Sequence, residues 1–197
     1  MARLMGAGFD VAESDQHETS IFDLPKSSCH ILCSKRPFDI LYSRMMLGPE
    51  KRLHVICLVR DPRDVIVSHH GGEMAKYWTS LDRWKFYYQA LQRVRHHPRF
   101  LEVKYEDLIR DPDLIQRRLI NQFAFLRLKR SFSSYPEGVE ALPDDLAALH
   151  GLRHLGNQSV GSWRQNRERI KTQLHIHGDV QEELEALGYE SNDYWKQ

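Results

Sequence analysis

Long apolar runs, a surplus of either charge and a cysteine framework are all missing from this chain, and each absence sets aside a class of function. No apolar stretch approaches the roughly 20 residues that a membrane-spanning helix needs, so no membrane partner is expected. Residues 1–20 carry acidic side chains and no apolar core, so no secretory leader is expected there. Lysine and arginine number 28 against 27 aspartates and glutamates, a formal net charge of +1. General nucleic-acid binding needs a basic surplus to displace counterions, so no nucleic-acid partner is expected, although a local basic pocket remains open. Three cysteines, Cys29, Cys33 and Cys57, are too few and odd in number for a disulfide scaffold. Cys57 falls inside an apolar run, where a buried, reduced thiol is expected, and this usage fits a reducing compartment such as the cytoplasm. No Gly-rich loop closes on Lys-Ser/Thr, which sets aside a nucleotide kinase. Histidines pair up at His69-His70, His96-His97 and His175-x-His177, but none has a cysteine or carboxylate at ligand spacing, so no metal is expected.

The 197 residues are enough for one domain with a sizeable core. Short apolar runs at residues 30–34, 54–59 and 100–105 read as strands, with helical patterns between them. That alternation predicts an α/β domain, a parallel sheet with helices on its faces. Helices are expected over 37–47, 78–95, 112–126 and 179–187, the last stopped by Gly188, while 131–143 reads as a loop. Residues 2–5 read as the tail of a helix that closes at Gly6 or Gly8. A helix with so little before it, in a fold that opens on a strand and a turn, leads to the expectation of one domain over residues 1–197 that is N-terminally incomplete.

Residues 55–68, VICLVRDPRDVIVS, carry the most chemistry. The apolar run 55–59 ends at Arg60, and a helix is expected to start with Asp61 as its N-cap and Pro62 at its first position. Asp64 reads as an acidic variant of a capping box. Arg60 then stands at the carboxyl end of a strand, where open α/β sheets bind ligands. Ser68 is placed about two turns into the helix, so that the Arg60 fork and the Ser68 hydroxyl close on one phosphate.

These residues resemble the sulfotransferases that use 3′-phosphoadenosine 5′-phosphosulfate (PAPS). LVRDPRDVIVS is similar to that family's 3′-phosphate-binding segment, FLEVKYEDLIRDP to its next strand and helix start, and SVGSWRQ at 159–165 to its C-terminal loop over the nucleotide. The matches occur in the family's order, and the resemblance covers roughly residues 1–170. Two further segments resemble the carbohydrate, heparan-type branch. HETSIFD at 17–23 is similar to its Glu-x-His-Phe-Phe-Asp segment, with Glu18 in the place of the catalytic base but Ser20 replacing the histidine. Lys35-Arg36-Pro37 is similar to its Lys-Ser/Thr-Pro strand end, with Arg36 departing from the hydroxyl residue. The family's Pro-Lys/Arg-Ser-Gly-Thr turn for the 5′-phosphosulfate is not found in these residues.

The resemblance implies a three-layer, P-loop-NTPase-like α/β fold whose first strand and loop are lacking. It implies sulfuryl transfer from PAPS to a hydroxyl or amine acceptor, a small molecule or a saccharide, without a metal. Arg60, Ser68, Trp163 and Arg164 are expected to hold the nucleotide, Trp163 as a wall for the adenine. Glu18 is expected to be the base, with His17 its rival, and Lys35 to stabilise the leaving phosphate. Loops near 72–79 and 131–143 are expected to shape the acceptor site. The alternative is a truncated or degenerate relative, a nucleotide-binding module without catalysis.

Overall fold

The computed structural model describes residues 1–13, 18–23, 30–70, 73–135, 137 and 155–197. Along the chain run α1 (Ala2–Gly8), β1 (Ala12–Glu13), β2 (Leu32–Cys33), α2 (Ile40–Leu47), β3 (Val55–Val59), α3 (Pro62–Ile66), β4 (His69–His70) and β5 (Glu73–Tyr77). They continue with α4 (Leu81–Gln92), β6 (Phe100–Lys104), α5 (Tyr105–Arg110), α6 (Pro112–Gln122), α7 (Arg167–His177) and α8 (Gln181–Ala186). Short 3-10 turns lie at Pro37–Asp39, Phe132–Ser134, Ser162–Gln165 and Tyr194–Lys196. Contacts divide the chain into two compact units, Met1–Val59 with Gln89–Asn157, and Arg60–Tyr88 with Gln158–Gln197.

In the first unit the three expected strands all form, and all pair in parallel. β3 runs beside β6 in register from Val55↔Phe100 to Val59↔Lys104. β2 is shorter than the run 30–34 and pairs with β1, a two-residue strand whose length gives no periodicity to read. The core gathers on this frame around Phe9, Val103, Ile115, Leu119 and Phe132, each essentially fully buried. α6 starts as its Asp-Pro pair suggests, with the Asp111 side chain accepting from the Leu114 N–H. Its buried face is narrower than the apolar stripe, since Ile115 and Leu119 are buried while Leu114 stays 45% exposed. A buried amide closes the other side. Gln116 donates to the Arg130 and Gly8 carbonyls and accepts from the Phe132 N–H, so every polar atom of its amide is used. Gly8 is needed there, because a Cβ would stand 2.3 Å from the Phe132 ring. Gly6 and Gly8 are thus helix and packing positions.

Cys33 and Cys57 are half-buried free thiols, and Cys29 lies outside the described residues. Burial, reinforced by Glu13, pushes the Cys33 thiol up to about 11; burial, reinforced by Glu102, pushes Cys57 up to about 12. At pH 8 the thiolate, the reactive form, is then at most roughly one part in 1,000 of either. Iodoacetamide at pH 8 is therefore expected to leave both residues unmodified in the native chain and to alkylate both in denaturant. Peptide mapping checks this, and rapid native alkylation of Cys57 would contradict it.

The second unit begins where β3 ends. The Asp61 side chain accepts from the Arg63 N–H at 2.9 Å and Pro62 takes the first helical position, as the sequence suggests. The helix does not reach Ser68. α3 stops at Ile66, Val67 caps it, and the chain passes into the antiparallel pair β4–β5, so Ser68 lies just beyond the helix. β-branched residues at 65–67 give little helical drive, and the Ser68 carbonyl is taken by the Trp78 N–H at 3.0 Å. Ile66, Leu81, Val180 and Leu184 form the core with Trp163 and Trp195. α7 is not legible as an amphipathic helix because only Ile170 and Leu174 recur at helical spacing. Its third inward residue is Gln173, buried and accepting the Leu81 N–H at 2.8 Å.

Candidate functional site

Each unit holds one of the polar clusters that the sequence points to. In the second, Arg60, Ser68 and the backbone of the loop that carries Trp163 converge on Asp64, whereas the Arg164 side chain lies over the Trp163 ring. This carboxylate is 1% exposed and accepts from the Gly161 N–H at 2.7 Å, the Trp163 N–H at 2.9 Å and the Ser162 hydroxyl at 3.0 Å. The Arg60 guanidinium stands 3.7 Å from it and donates to the Ser159 carbonyl. The Ser68 hydroxyl donates to the Asp64 backbone carbonyl at 3.0 Å. Loop 159–165 is therefore hung on the turn that follows β3, and the two segments similar to nucleotide-binding motifs, about 100 residues apart in sequence, form one structure.

Gly161 is required at the centre of that loop. Its φ of +78° is left-handed, and a Cβ would stand 2.5 Å from the Arg164 guanidinium nitrogen. The chain so turned aims two backbone donors at Asp64 and starts the 3-10 turn that carries Trp163 and Arg164. Trp163 is 3% exposed; the Arg164 guanidinium lies 4.7 Å and the Arg63 guanidinium 4.1 Å from its ring centroid. Arg63 is itself 2% exposed, forked onto Asp61 at 2.7 and 3.0 Å and bonded to Glu190 at 2.6 Å. Burial works against its charge, but Asp61 and Glu190 hold it above the ordinary arginine value. Asp64 and Arg63 are the residues that sequence reasoning missed as parts of this site. No local signal marks either one, because the partners that bury them lie 97 to 127 residues farther along the chain.

In the first unit, Glu18 and Lys35 come together. Their charged groups are 3.7 Å apart, with side chains 45% and 40% exposed. The backbone strap between their segments is short and specific. The Thr19 N–H donates to the Lys35 carbonyl at 3.1 Å, while Asp39 accepts from the Ile21 N–H at 2.8 Å and the Ser20 hydroxyl at 3.3 Å. Ser20, which departs from the resembling branch's histidine, is thus a buried anchor. Asp39 also receives Arg36, whose nitrogen is 3.8 Å away. His17 lies outside the described residues, as do residues 72, 136 and 138–143; of the two loops expected at the acceptor, 72–79 is instead largely strand β5, paired with β4. The histidine pairs divide: His96 and His175 are exposed, whereas His97 accepts from the Arg99 N–H and the His69 ring lies against Tyr77.

Among the described residues no helix is long and apolar enough to cross a membrane. No curated protein and no solved structure matches the chain significantly. The model of a family described as "Sulfotransferase family" matches residues 13–125, a span that holds Glu18, Lys35, Arg60, Ser68 and the β3–β6 pair. Parallel strands flanked by helices are the α/β architecture that this family implies. The match takes in more than half of the 197 residues, and with the motif order and the α/β frame it makes this chain a member of the sulfotransferase family.

Proposed function

We propose that this chain moves a sulfuryl group from PAPS to a hydroxyl or amine on a carbohydrate acceptor. The observation that carries the reading is the Asp64 node, which joins Arg60, Ser68 and loop 159–165. A nucleotide with a 3′-phosphate needs a planar cationic fork, hydroxyl donors and a loop to close over it. Arg60, Ser68 and Arg164 supply the cations and the hydroxyl, while Trp163, expected as a wall for the adenine, is instead buried at 3% exposure under the Arg63 and Arg164 guanidinium groups and supports Arg164 from below.

Glu18 and Lys35 suit the transfer itself. The acceptor oxygen attacks sulfur in line; the new S–O bond forms as the bond to the bridging phosphate oxygen breaks. Glu18 takes the acceptor's proton, and the Lys35 ammonium offsets the charge that builds on the leaving phosphate. A carboxylate and an ammonium held 3.7 Å apart on the surface have the charges for these two tasks. We take residues 1–197 as one such domain, with the free thiols of Cys33 and Cys57 fitting a cytoplasmic setting.

Calorimetric titration with adenosine 3′,5′-bisphosphate tests the reading. Micromolar binding is expected for the chain, and Arg60→Ala is expected to weaken it about 100-fold, or roughly 3 kcal/mol, the worth of a forked phosphate contact. Equal affinity of variant and parent would overturn the assignment of Arg60. Sulfation of a saccharide in the presence of PAPS then separates an enzyme from a nucleotide-binding module, which would bind the nucleotide without forming product.

A further inference from the structure

We propose that Phe22, Phe38 and Tyr42 form a ring-stacking subsite that holds the acceptor saccharide beside Glu18 and Lys35. The inference rests on the sulfotransferase reading and names the surface on which its acceptor lies. The three rings touch. Phe22 meets Tyr42 edge to face with centroids 5.2 Å apart, and Phe38 meets Tyr42 at 5.8 Å. Phe38 and Tyr42 are four residues apart on one helical face, which is why their rings adjoin. Yet they remain 52%, 37% and 36% exposed in the order Phe22, Phe38, Tyr42. Single exposed aromatics need no explanation; three in contact make a surface that gains by being covered.

The platform is built on the same strap as the reacting pair. The bonds from 19–21 to Lys35 and Asp39 fix Glu18 and Phe22 at the two ends of one five-residue segment, and fix Lys35 and Phe38 on the other. An acceptor lying on the rings is therefore held by the two segments that carry the base and the ammonium.

The chemistry of the rim selects a sugar. The Arg36 guanidinium lies 5.4 Å from the Phe38 centroid, and Glu18 and Lys35 are carried on the same two strapped segments as Phe22 and Phe38. A wholly apolar ligand draws its affinity from an enclosing cavity, whereas this surface is open and charged at its edge. A pyranose has one face of C–H groups to lay on aromatic rings and an equatorial belt of hydroxyls for a carboxylate and ammonium groups. It can stay solvated on its other side, as an open platform requires.

Saturation-transfer NMR with methyl β-D-glucoside and methyl N-acetyl-β-D-glucosaminide tests the subsite without needing turnover. Saturation of the protein's aromatic protons is expected to reach the ring protons of one sugar face. Phe22→Ala and Tyr42→Ala are each expected to reduce it at least five-fold, and Tyr42→Phe, which keeps the ring, to retain it. The rings are exposed, so the variants keep the fold, and urea unfolding checks this. An unchanged signal in the Phe22→Ala/Tyr42→Ala variant overturns the subsite. So does no transfer to either glycoside, transfer to p-nitrophenol alone, or self-association of the chain through this face. The nucleotide titration reads the parent assignment separately. Intact nucleotide binding without saturation of either sugar removes only the subsite. Saturation that reaches the sugar in the parent and fades in the ring variants upholds the subsite whatever the nucleotide does.

Discussion

Asp64→Ala is expected to destabilise the chain by about 3–5 kcal/mol and to release loop 159–165 from the turn after β3. The carboxylate is buried and answers two backbone N–H groups and one hydroxyl, with the Arg60 guanidinium 3.7 Å away. Removing it strands donors that water cannot easily reach, and each stranded group costs about 1–3 kcal/mol. It also leaves Arg60, whose side chain is 19% exposed, without this carboxylate beside it. Asp64→Asn separates shape from charge. An amide keeps one acceptor, which at Oδ1 still serves Trp163 and Ser162, but turns an NH₂ toward the Gly161 N–H and the Arg60 guanidinium, donor against donor. A loss of about 2 kcal/mol is expected, between parent and alanine. Urea unfolding gives the stabilities, and proteolysis at 155–165 gives the release of the loop. A loss below about 1 kcal/mol for Asp64→Ala would mean that the loop is held by other interactions.

Nucleotide binding should follow the same order. If loop 159–165 must be in place before the nucleotide is held, the affinity for adenosine 3′,5′-bisphosphate falls in Asp64→Asn although the variant leaves Arg60, Ser68 and Arg164 intact. Gly161 gives an independent handle on the same loop, because a side chain there forces a left-handed residue against Arg164. Arg60→Ala and Asp64→Asn act through one contact, so their effects on binding are expected to be non-additive.

What is legible in the sequence is what local rules govern. Asp61 and Pro62 start a helix through contacts within two residues, and Asp111-Pro112 does the same for α6. The apolar runs at 55–59 and 100–104 need no distant information to become strands, and their parallel pairing follows from the helices between them. Ser68 shows where local reading fails. The start of α3 is visible but its end is not, because the end is set by β4–β5 and by the bond from Trp78. Asp64 reads locally as a cap because its partners lie 97 to 99 residues on. Glu18 and Lys35 enter through resemblance, and no pattern within the chain foretells that 18–21 is strapped to 35–39. The platform of Phe22, Phe38 and Tyr42 has the same origin: one ring comes from each side of that strap, with Tyr42 between them.

Arg63 carries the second large effect. Among the described residues it is the largest fully buried side chain, and its charge is met by Asp61 through a fork, by Glu190 through a single bond, and by the rings of Trp163 and Trp195 with centroids 4.1 and 4.8 Å away. Arg63→Ala takes the guanidinium fork away from Asp61, 6% exposed, and the single bond away from Glu190, and opens a void beside two tryptophans. A loss of about 3–5 kcal/mol is expected from breaking the buried ion pair. Lysine is not expected to rescue it, since an ammonium cannot fork onto Asp61 while also reaching Glu190 and both rings. Arg63→Met with Asp61→Asn is the informative combination. The thioether refills the space, the amide still caps α3, and both charges of the Asp61–Arg63 fork are removed together, so the double variant is expected to be more stable than Arg63→Met alone by at least about 1.5 kcal/mol. Tryptophan fluorescence follows the change directly, because Trp163 and Trp195 lose their stacked cation together. Equal stability of the single and double variants would show that ring packing, and not the ion pair, holds the core against which loop 159–165 is set. In that case the Arg60 and Asp64 effects on nucleotide affinity would survive in Arg63→Met; if the pair governs, they would shrink with it.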